Sequence, residues 1–145
     1  MAKMLWDTSL NTGISIIDEQ HRGIVDYINK LDEAAQANDR DKVTQVLMGL
    51  INYTASHFAF EESLLEQNKY PLLDAHKAVH ASFVKRIQKY FDAHKAGQNI
   101  AKTLSGELQI WLANHIKNED GDYVKSVNIK TPSGSLLSRM VAKFF

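Results

Sequence analysis

The chain has 145 residues, 44% of them hydrophobic and only 2 of them proline, which is typical of one globular domain with a sizeable core. The chain has 17 basic residues (Lys and Arg) and 17 acidic ones (Asp and Glu), so no excess of positive charge indicates a nucleic-acid partner. Cysteine is absent, which excludes disulfides, thiolate metal sites and cysteine nucleophiles. Any metal ion must therefore be held by nitrogen and oxygen ligands.

The N-terminal sequence MAKMLWDTS is followed by no apolar signal region, and no run of 18 apolar residues occurs along the chain. We therefore expect neither secretion nor a transmembrane segment, and a cytoplasmic location follows from these missing signals. Residues 1–17 contain turn formers and no helical period, which predicts an arm laid over the domain and anchored by Trp6. Asp18 is the expected N-cap of the first helix, whose apolar residues recur at helical spacing from His21 onward.

Three more segments carry apolar residues at alternating spacings of three and four. The second helical stripe runs over 43–64, the third over 76–94 after a turn at 67–71, and the fourth over 101–115 after a break at 96–99. Amphipathic helices joined by short loops predict an all-α fold, an up-down-up-down antiparallel four-helix bundle with an N-terminal arm and a short C-terminal helical tail.

The last segment differs from the rest of the chain. Its apolar residues form one short face, and its only charged side chains are basic, namely Lys130, Arg139 and Lys143. We therefore separate a bundle domain over 1–128 from a basic amphipathic extension over 129–145. The extension could pack on its own bundle, or it could dock a protein partner or a membrane surface.

Histidine and carboxylate residues occupy the inward stripes, where Leu, Ile and Val are expected. His57 and Glu61 stand four residues apart, so they share a helix face at about 6 Å. His76 and His80 repeat this spacing on the next helix. Burying one such group without a partner costs several kcal/mol, so the set needs a shared partner, and a divalent cation supplies it.

The number of candidate ligands indicates the kind of metal site. Five histidines, including His21 and His115, together with Glu61 and one later acid exceed what a single four-coordinate ion needs. They suit two octahedral ions that share bridging carboxylates. Imidazole-rich sites suit iron, copper, nickel or zinc, and octahedral sharing favours iron. A lone inward histidine is more often a core residue, and His57 with Glu61 alone could be a hydrogen-bonded pair, but both motifs together favour metal.

The later acid is ambiguous from helix geometry alone. Glu119, Asp120 and Asp122 all follow His115 closely. On a regular α-helix Glu119 would share the face of His115, whereas Asp120 would lie roughly 140° away from it.

These motifs resemble those of the hemerythrin family, most closely its single-domain bacterial members. Four ordered segments carry the resemblance: GISIIDEQH (13–21), HFAFEE (57–62), HKAVH (76–80) and WLANHIKNED (111–120). The resemblance covers the whole bundle and leaves only the tail after about 127 outside it. It implies two iron ions with an oxo or hydroxo bridge and O2 as an external ligand.

The resemblance also implies a role for each candidate residue. One iron would be bound by three histidines, His76, His80 and His115. The other would be bound by two, His21 and His57, which leaves it one open position. The two ions would be bridged by the carboxylates of Glu61 and Asp120. An apolar O2 pocket would be lined by Trp111, Leu112, Ile116 and Phe58, for which ordinary core packing is the alternative.

The family spacing selects Asp120 over Glu119, which requires the helix to end or bulge just after His115. Gly121 is then expected to form a left-handed cap, with Glu119 and Asp122 on the solvent side. His94 matches no ligand position, so we expect it to be structural or at the surface.

Two other residues near the motifs have simpler expectations. Glu62 points about 100° from Glu61 on a regular helix and is expected to be solvated. Tyr123 is expected to pack in the core, with a hydrogen bond to the site as the alternative.

The function implied by the resemblance is reversible O2 binding, for storage, delivery or buffering, without catalytic turnover. Oxygen or redox sensing through a partner is the alternative, motivated by the apolar, basic tail. A di-iron oxidase or peroxidase is disfavoured by the histidine-rich ligand set, and a zinc-filled structural bundle is more remote. We expect O2 as the partner, no nucleic acid, and a monomer.

Overall fold

Four long helices run alternately up and down and form the body of the protein. The structure, a computed structural model, describes residues 3–126, 130, 132 and 134–145. Its helices are α1 (Ser15–Gln36), α2 (Arg40–Gln67), α3 (Leu73–Lys95), α4 (Ala101–His115), α5 (Gly121–Ser126) and α6 (Gly134–Phe144). A 3-10 turn lies at Thr8–Leu10 and a π-helical segment at Ile116–Asp120. No β-strand occurs in these described residues, and the predicted all-α four-helix bundle is confirmed.

Apolar side chains from α1, α2 and α4 fill one continuous core. Its fully buried members include Ile28, Leu31, Leu47 and Leu50. Helix α1 packs closely on α2 and α4, and α2 on α3. Across the seam between α3 and α4, the rings of Phe83 and Trp111 pack at a tilt of 32° with 3.9 Å between their centroids.

The arm is fastened to α1 by polar contacts. The side chain of Asn29 accepts from the Met4 N–H at 2.8 Å and donates to the Met4 carbonyl at 2.9 Å. Trp6 is partly buried against the core, and its indole N–H donates to Asn11. The expectation that Trp6 anchors the arm is confirmed.

Helix α1 begins three residues before Asp18, so the predicted N-cap was wrong. Ile14 holds the N-cap position and offers no side-chain hydrogen bond. The Asp18 carboxylate lies inside the first turn and accepts from the N–H groups of Thr12 and Gly13. Gly13 has a φ of +86°, which favours glycine, and this turn places the two N–H groups beside the Asp18 carboxylate.

His94 is buried at 4% exposure and joins the end of α3 to the start of α2. The Arg40 guanidinium donates to the His94 carbonyl and approaches its Nδ1 at 3.3 Å, and Thr44 Oγ1 lies 2.8 Å from Nε2. The Thr44 hydroxyl itself donates to the Arg40 carbonyl. This arrangement assigns the proton to Nε2, so His94 is a neutral structural residue, as expected for a histidine outside the ligand set.

The described part of the C-terminal tail packs on its own bundle. Met140 of α6 lies with Ile17 of α1 and with Phe60 and Leu64 of α2 in a second apolar cluster. Asn68, just after α2, exchanges hydrogen bonds with the backbone of Lys130. The predicted boundary between 128 and 129 falls outside the described residues and stays a prediction. Among the described helices, none is long and apolar enough to cross a membrane.

We predict that His94 makes the stability of the fold depend on pH. Burial and the nearby Arg40 cation lower the pKa of His94, so the unfolded chain takes up this proton more readily. The free energy of unfolding should therefore fall as pH drops through about 6.5. Urea unfolding across this range should show a smaller fall in His94→Gln than in the wild type. If the free energy of unfolding falls equally with pH in the two proteins, His94 is not the group responsible.

A second prediction concerns the tail. Met140→Ala should lower the free energy of unfolding by about 2 kcal/mol, because it leaves a cavity beneath α6. Leu136→Ala on the same helix is the matched control, since Leu136 is 53% exposed. It should change stability by less than about 0.5 kcal/mol. Denaturant titration of both full-length variants tests this, and equal effects would mean that α6 is not held by this cluster.

Candidate metal centre

The inward histidines and carboxylates meet at one point in the bundle. Each of the seven predicted ligands is no more than 3% exposed, and they are His21, His57, Glu61, His76, His80, His115 and Asp120. Helix α1 supplies one of them, α2 and α3 supply two each, and the last two come from the end of α4 and the π-helical segment. Their donor atoms fall into two groups, each spanning less than 4.8 Å. One group is formed by Glu61, His76, His80, His115 and Asp120, and the other by His21, His57 and Glu61.

Glu61 divides its two oxygens between the two groups of histidines. Its Oε1 lies 2.6 Å from His76 Nε2 and 3.3 Å from His80 Nε2. Its Oε2 lies 3.4 Å from His57 Nε2 and 3.9 Å from His21 Nε2. A carboxylate placed in this way can bind one cation with each oxygen.

Asp120 divides its two oxygens between the same two groups of histidines. Its Oδ1 lies 3.2 Å from His76 Nε2 and 3.3 Å from His115 Nε2. Its Oδ2 lies 3.2 Å from His21 Nε2. The two carboxylates therefore both span the same pair of positions.

The π-helical segment is what brings Asp120 to the cluster. Residues Ile116–Asp120 make π-type turns, which hold more residues than an α-helical turn, so the side chain five positions after His115 comes back towards its face. The predicted bulge after His115 is confirmed. Glu119 is partly exposed, and its Oε2 stays 3.8 Å from His115 Nδ1. The predicted left-handed cap at Gly121 was wrong, because its φ is −58° and the chain continues directly into α5.

Several buried atoms of this cluster have no hydrogen-bond partner among the described residues. They are both ring nitrogens of His21, Nε2 of His57, Nδ1 of His115 and both carboxylate oxygens of Asp120. Each unsatisfied buried polar atom costs about 1–3 kcal/mol. Shared cations would satisfy the inward-facing atoms together, so the donor set fits a pair of metal ions.

The carboxylates remain ionised in spite of their burial. Burial alone would raise the pKa of the Glu61 carboxyl, but hydrogen bonds with His76 and His80 hold that pKa well below its ordinary value. Burial would lower the pKa of His76, but the adjacent Asp120 and Glu61 carboxylates raise it to about 10. Burial lowers the pKa of His57 to about 3. The negative charge of the carboxylates is therefore balanced by cations at the centre, either protons or metal ions.

Comparison with known proteins decides the family. The profile described as "Hemerythrin HHE cation binding domain" matches residues 12–127. A bacteriohemerythrin of Pseudomonas aeruginosa (strain PAO1) is 41% identical, with 100% of this chain and 99% of that protein covered. A myohemerythrin of Theromyzon tessulatum is 30% identical, with 81% and 88% covered. A crystal structure of wild-type hemerythrin superposes with a TM-score of 0.80 at 30% identity, with 86% of this chain and 97% of that chain covered.

The chain belongs to the hemerythrin family. The cofactor of a hemerythrin domain is a pair of iron ions, and the buried nitrogen and oxygen donors described above fit it.

The hemerythrin site is backed by hydrogen bonds that the sequence motifs did not reveal. Gln20 Oε1 lies 2.7 Å from His57 Nδ1, and Glu62 Oε2 lies 2.8 Å from His80 Nδ1. The expectation that Glu62 is solvated was wrong, because this face of α2 turns towards α3 and leaves the side chain only 24% exposed. The available signal was chemical, since a histidine that binds metal through Nε2 needs an acceptor for its Nδ1 proton.

Tyr123 combines its two predicted roles. It is fully buried, and its hydroxyl donates to Glu61 Oε2 at 3.4 Å. Burial and the charges of Glu61 and Asp120 raise its pKa well above the ordinary value, so it remains a donor. It therefore packs in the core and also contacts a carboxylate of the hemerythrin centre.

Two of the predicted O2-pocket residues contact the histidine rings directly. Phe58 stacks on His80 with 3.9 Å between centroids, and Trp111 stacks on His115 at 4.6 Å. Leu112 and Ile116 are 2% and 3% exposed and belong to the main core. Phe58 and Trp111 thus cover two of the histidine rings, and the part of all four residues in an O2 pocket stays a prediction.

A cleft between α3 and α4 reaches the outer side of the hemerythrin centre, and sequence patterns gave no sign of it. Its volume is about 410 Å³, and its lining includes Trp111 and His115. The lining includes neither His21 nor His57, the pair beside which the resemblance places the open position.

The competing acids at the end of α4 give a direct test. Asp120→Ala should abolish or scramble binding of the second ion, because it removes oxygens that face both groups of histidines. Glu119→Ala, the matched control, should bind two ions as the wild type does. Metal content after gel filtration, together with titration of Co²⁺ followed by visible absorption, measures both. The assignment fails if the two variants exchange these outcomes.

Proposed function

We propose that this chain binds O2 reversibly at a di-iron centre held by the seven buried side chains, and that it stores, delivers or buffers O2 without catalytic turnover. The functional unit would be the bundle over 1–128, with the extension over 129–145 as a cover. The observation that carries the proposal is the way Glu61 and Asp120 each divide their oxygens between two groups of histidines.

The assignment of ligands follows the two groups. His76, His80 and His115 would complete the protein ligands of one iron. His21 and His57 would bind the other, which has fewer protein donors and so keeps a position for O2. The pair of irons, when bound, supplies two electrons to O2 and recovers them when O2 leaves.

The chain's own residues supply the conditions for reversibility. When bound to metal, the five imidazoles are neutral and outnumber the two carboxylates, which limits the stabilisation of high oxidation states relative to a carboxylate-rich di-iron site. The ligands are almost completely buried, and the rings of Phe58 and Trp111 lie against two of them. Tyr123 offers its hydroxyl as a donor beside Glu61. Together these residues exclude water and hold the centre in one arrangement.

The packing of the described tail does not favour the sensing alternative. That alternative rested on a free apolar face in the tail, and the apolar face of α6 is packed against α1 and α2. The oxidase alternative gains nothing from the cleft between α3 and α4, because its lining omits His21 and His57.

Optical spectroscopy of the reduced iron protein tests the proposal. We expect an absorption band that appears on exposure to O2, disappears under vacuum and returns over repeated cycles. The same chain loaded with zinc is the control and should show no change, because zinc has no redox chemistry. One-way oxidation with release of reduced oxygen species would exclude reversible binding and favour an oxidase.

A further inference from the structure

Two of the site histidines have outer partners that differ in charge. The Nδ1 of His80 faces the carboxylate of Glu62 at 2.8 Å, and the Nδ1 of His57 faces the amide oxygen of Gln20 at 2.7 Å. Both distances are those of good hydrogen bonds, and both bonds link neighbouring helices. The same ring atom thus has an anionic partner on one side of the centre and a neutral partner on the other.

The direction of these bonds follows from the inward geometry. The Nε2 atoms of His57 and His80 both face Glu61 and the centre of the cluster. A metal ion on Nε2 leaves the ring proton on Nδ1, so each ring donates outward and its partner must accept. Gln20 satisfies this with its carbonyl oxygen, although its buried amide nitrogen then has no partner among the described side chains. Gln20 therefore accepts from His57 without bringing a net charge to this side of the centre.

We propose that Glu62 is a positioning residue whose negative charge, acting through His80, stabilises the more oxidised state of the iron that His80 would bind, and that Gln20 withholds this charge from the iron beside His57. The inference rests on the proposed di-iron function. A carboxylate that accepts from a metal-bound histidine fixes the ring and raises its basicity as a ligand, whereas an amide fixes the ring and adds no net charge.

The two partners would make the ends of the centre unequal. Glu62 acts on the group of three histidines, which leaves no position for O2. Gln20 acts on the group of two histidines. Without an added negative charge, the oxidised state of the iron there is stabilised less. That iron is therefore easier to keep reduced and able to bind O2. The asymmetry is thus placed in the chain itself, in side chains that do not touch the metal.

Glu62→Gln separates charge from position. The amide can still accept from His80, so the ring stays in place while the negative charge is lost. We expect the affinity for Co²⁺ to fall about tenfold. We also expect the midpoint potential of the iron-loaded protein to rise by about 59 mV, which for one electron corresponds to a tenfold greater loss of affinity for Fe³⁺ than for Fe²⁺. Gln20→Glu should shift the midpoint potential the opposite way, and the double variant should bring it back towards the wild-type value.

The control is Glu119→Gln. Its carboxylate lies 3.8 Å from His115 Nδ1, which is close but beyond hydrogen-bond distance. This variant removes the same charge without altering a hydrogen bond, so its effect on the potential should be clearly smaller than that of Glu62→Gln. Equal shifts would overturn the inference, because unspecific charge would then explain both. Unchanged potentials in Glu62→Gln would also overturn it and would leave Glu62 as a link between α2 and α3.

The same measurements separate this inference from the proposed function. If the wild type binds two Co²⁺ ions and only the predicted shifts are missing, the metal centre stands and the role of Glu62 fails. If the wild type binds no pair of ions, both fail together. If Gln20→Glu does not fold, the comparison of Glu62→Gln with Glu119→Gln still decides the question.

Discussion

Two ionised carboxylates buried among five histidine rings are the constraint on which the rest of the structure depends. Glu61 and Asp120 are both fully buried, so water cannot solvate them and cations within the bundle must balance them. Their oxygens define two neighbouring positions, and each helix is placed so that a ring nitrogen reaches one of them. The long apolar stripes on either side hold the helices at this spacing. The core thus serves the site as well as the stability of the fold.

The end of α4 shows how far the backbone departs from regular geometry to meet this constraint. A regular helix would have turned Asp120 away from the centre and offered Glu119 instead. The π-helical segment moves the longer acid to the edge and the shorter one to the middle. A shorter carboxylate loses less conformational entropy when it is fixed at the centre than a longer one does, because fewer side-chain torsions must be fixed.

The surroundings of the centre come from helices that are neighbours in space. Glu62 on α2 reaches α3, Gln20 on α1 reaches α2, and Tyr123 on α5 reaches back to α2. Helix α6 covers Phe60, the residue beside Glu61, and so closes the outer face of α1 and α2. In this arrangement Met140 and its apolar neighbours in α6 are packed against the bundle.

The sequence by itself determined the bundle and the ligand types, because helical periodicity places His57 with Glu61 and His76 with His80 on single faces before any tertiary contact forms. It also located the irregularity after His115, once the family spacing favoured Asp120. Only the tertiary structure decided which carboxylate oxygen faces which ring, and that Glu62 and Gln20 accept hydrogen bonds from two of the histidines. Those features depend on the rotation of one helix against another, and local spacing carries no information about a neighbouring helix's rotation.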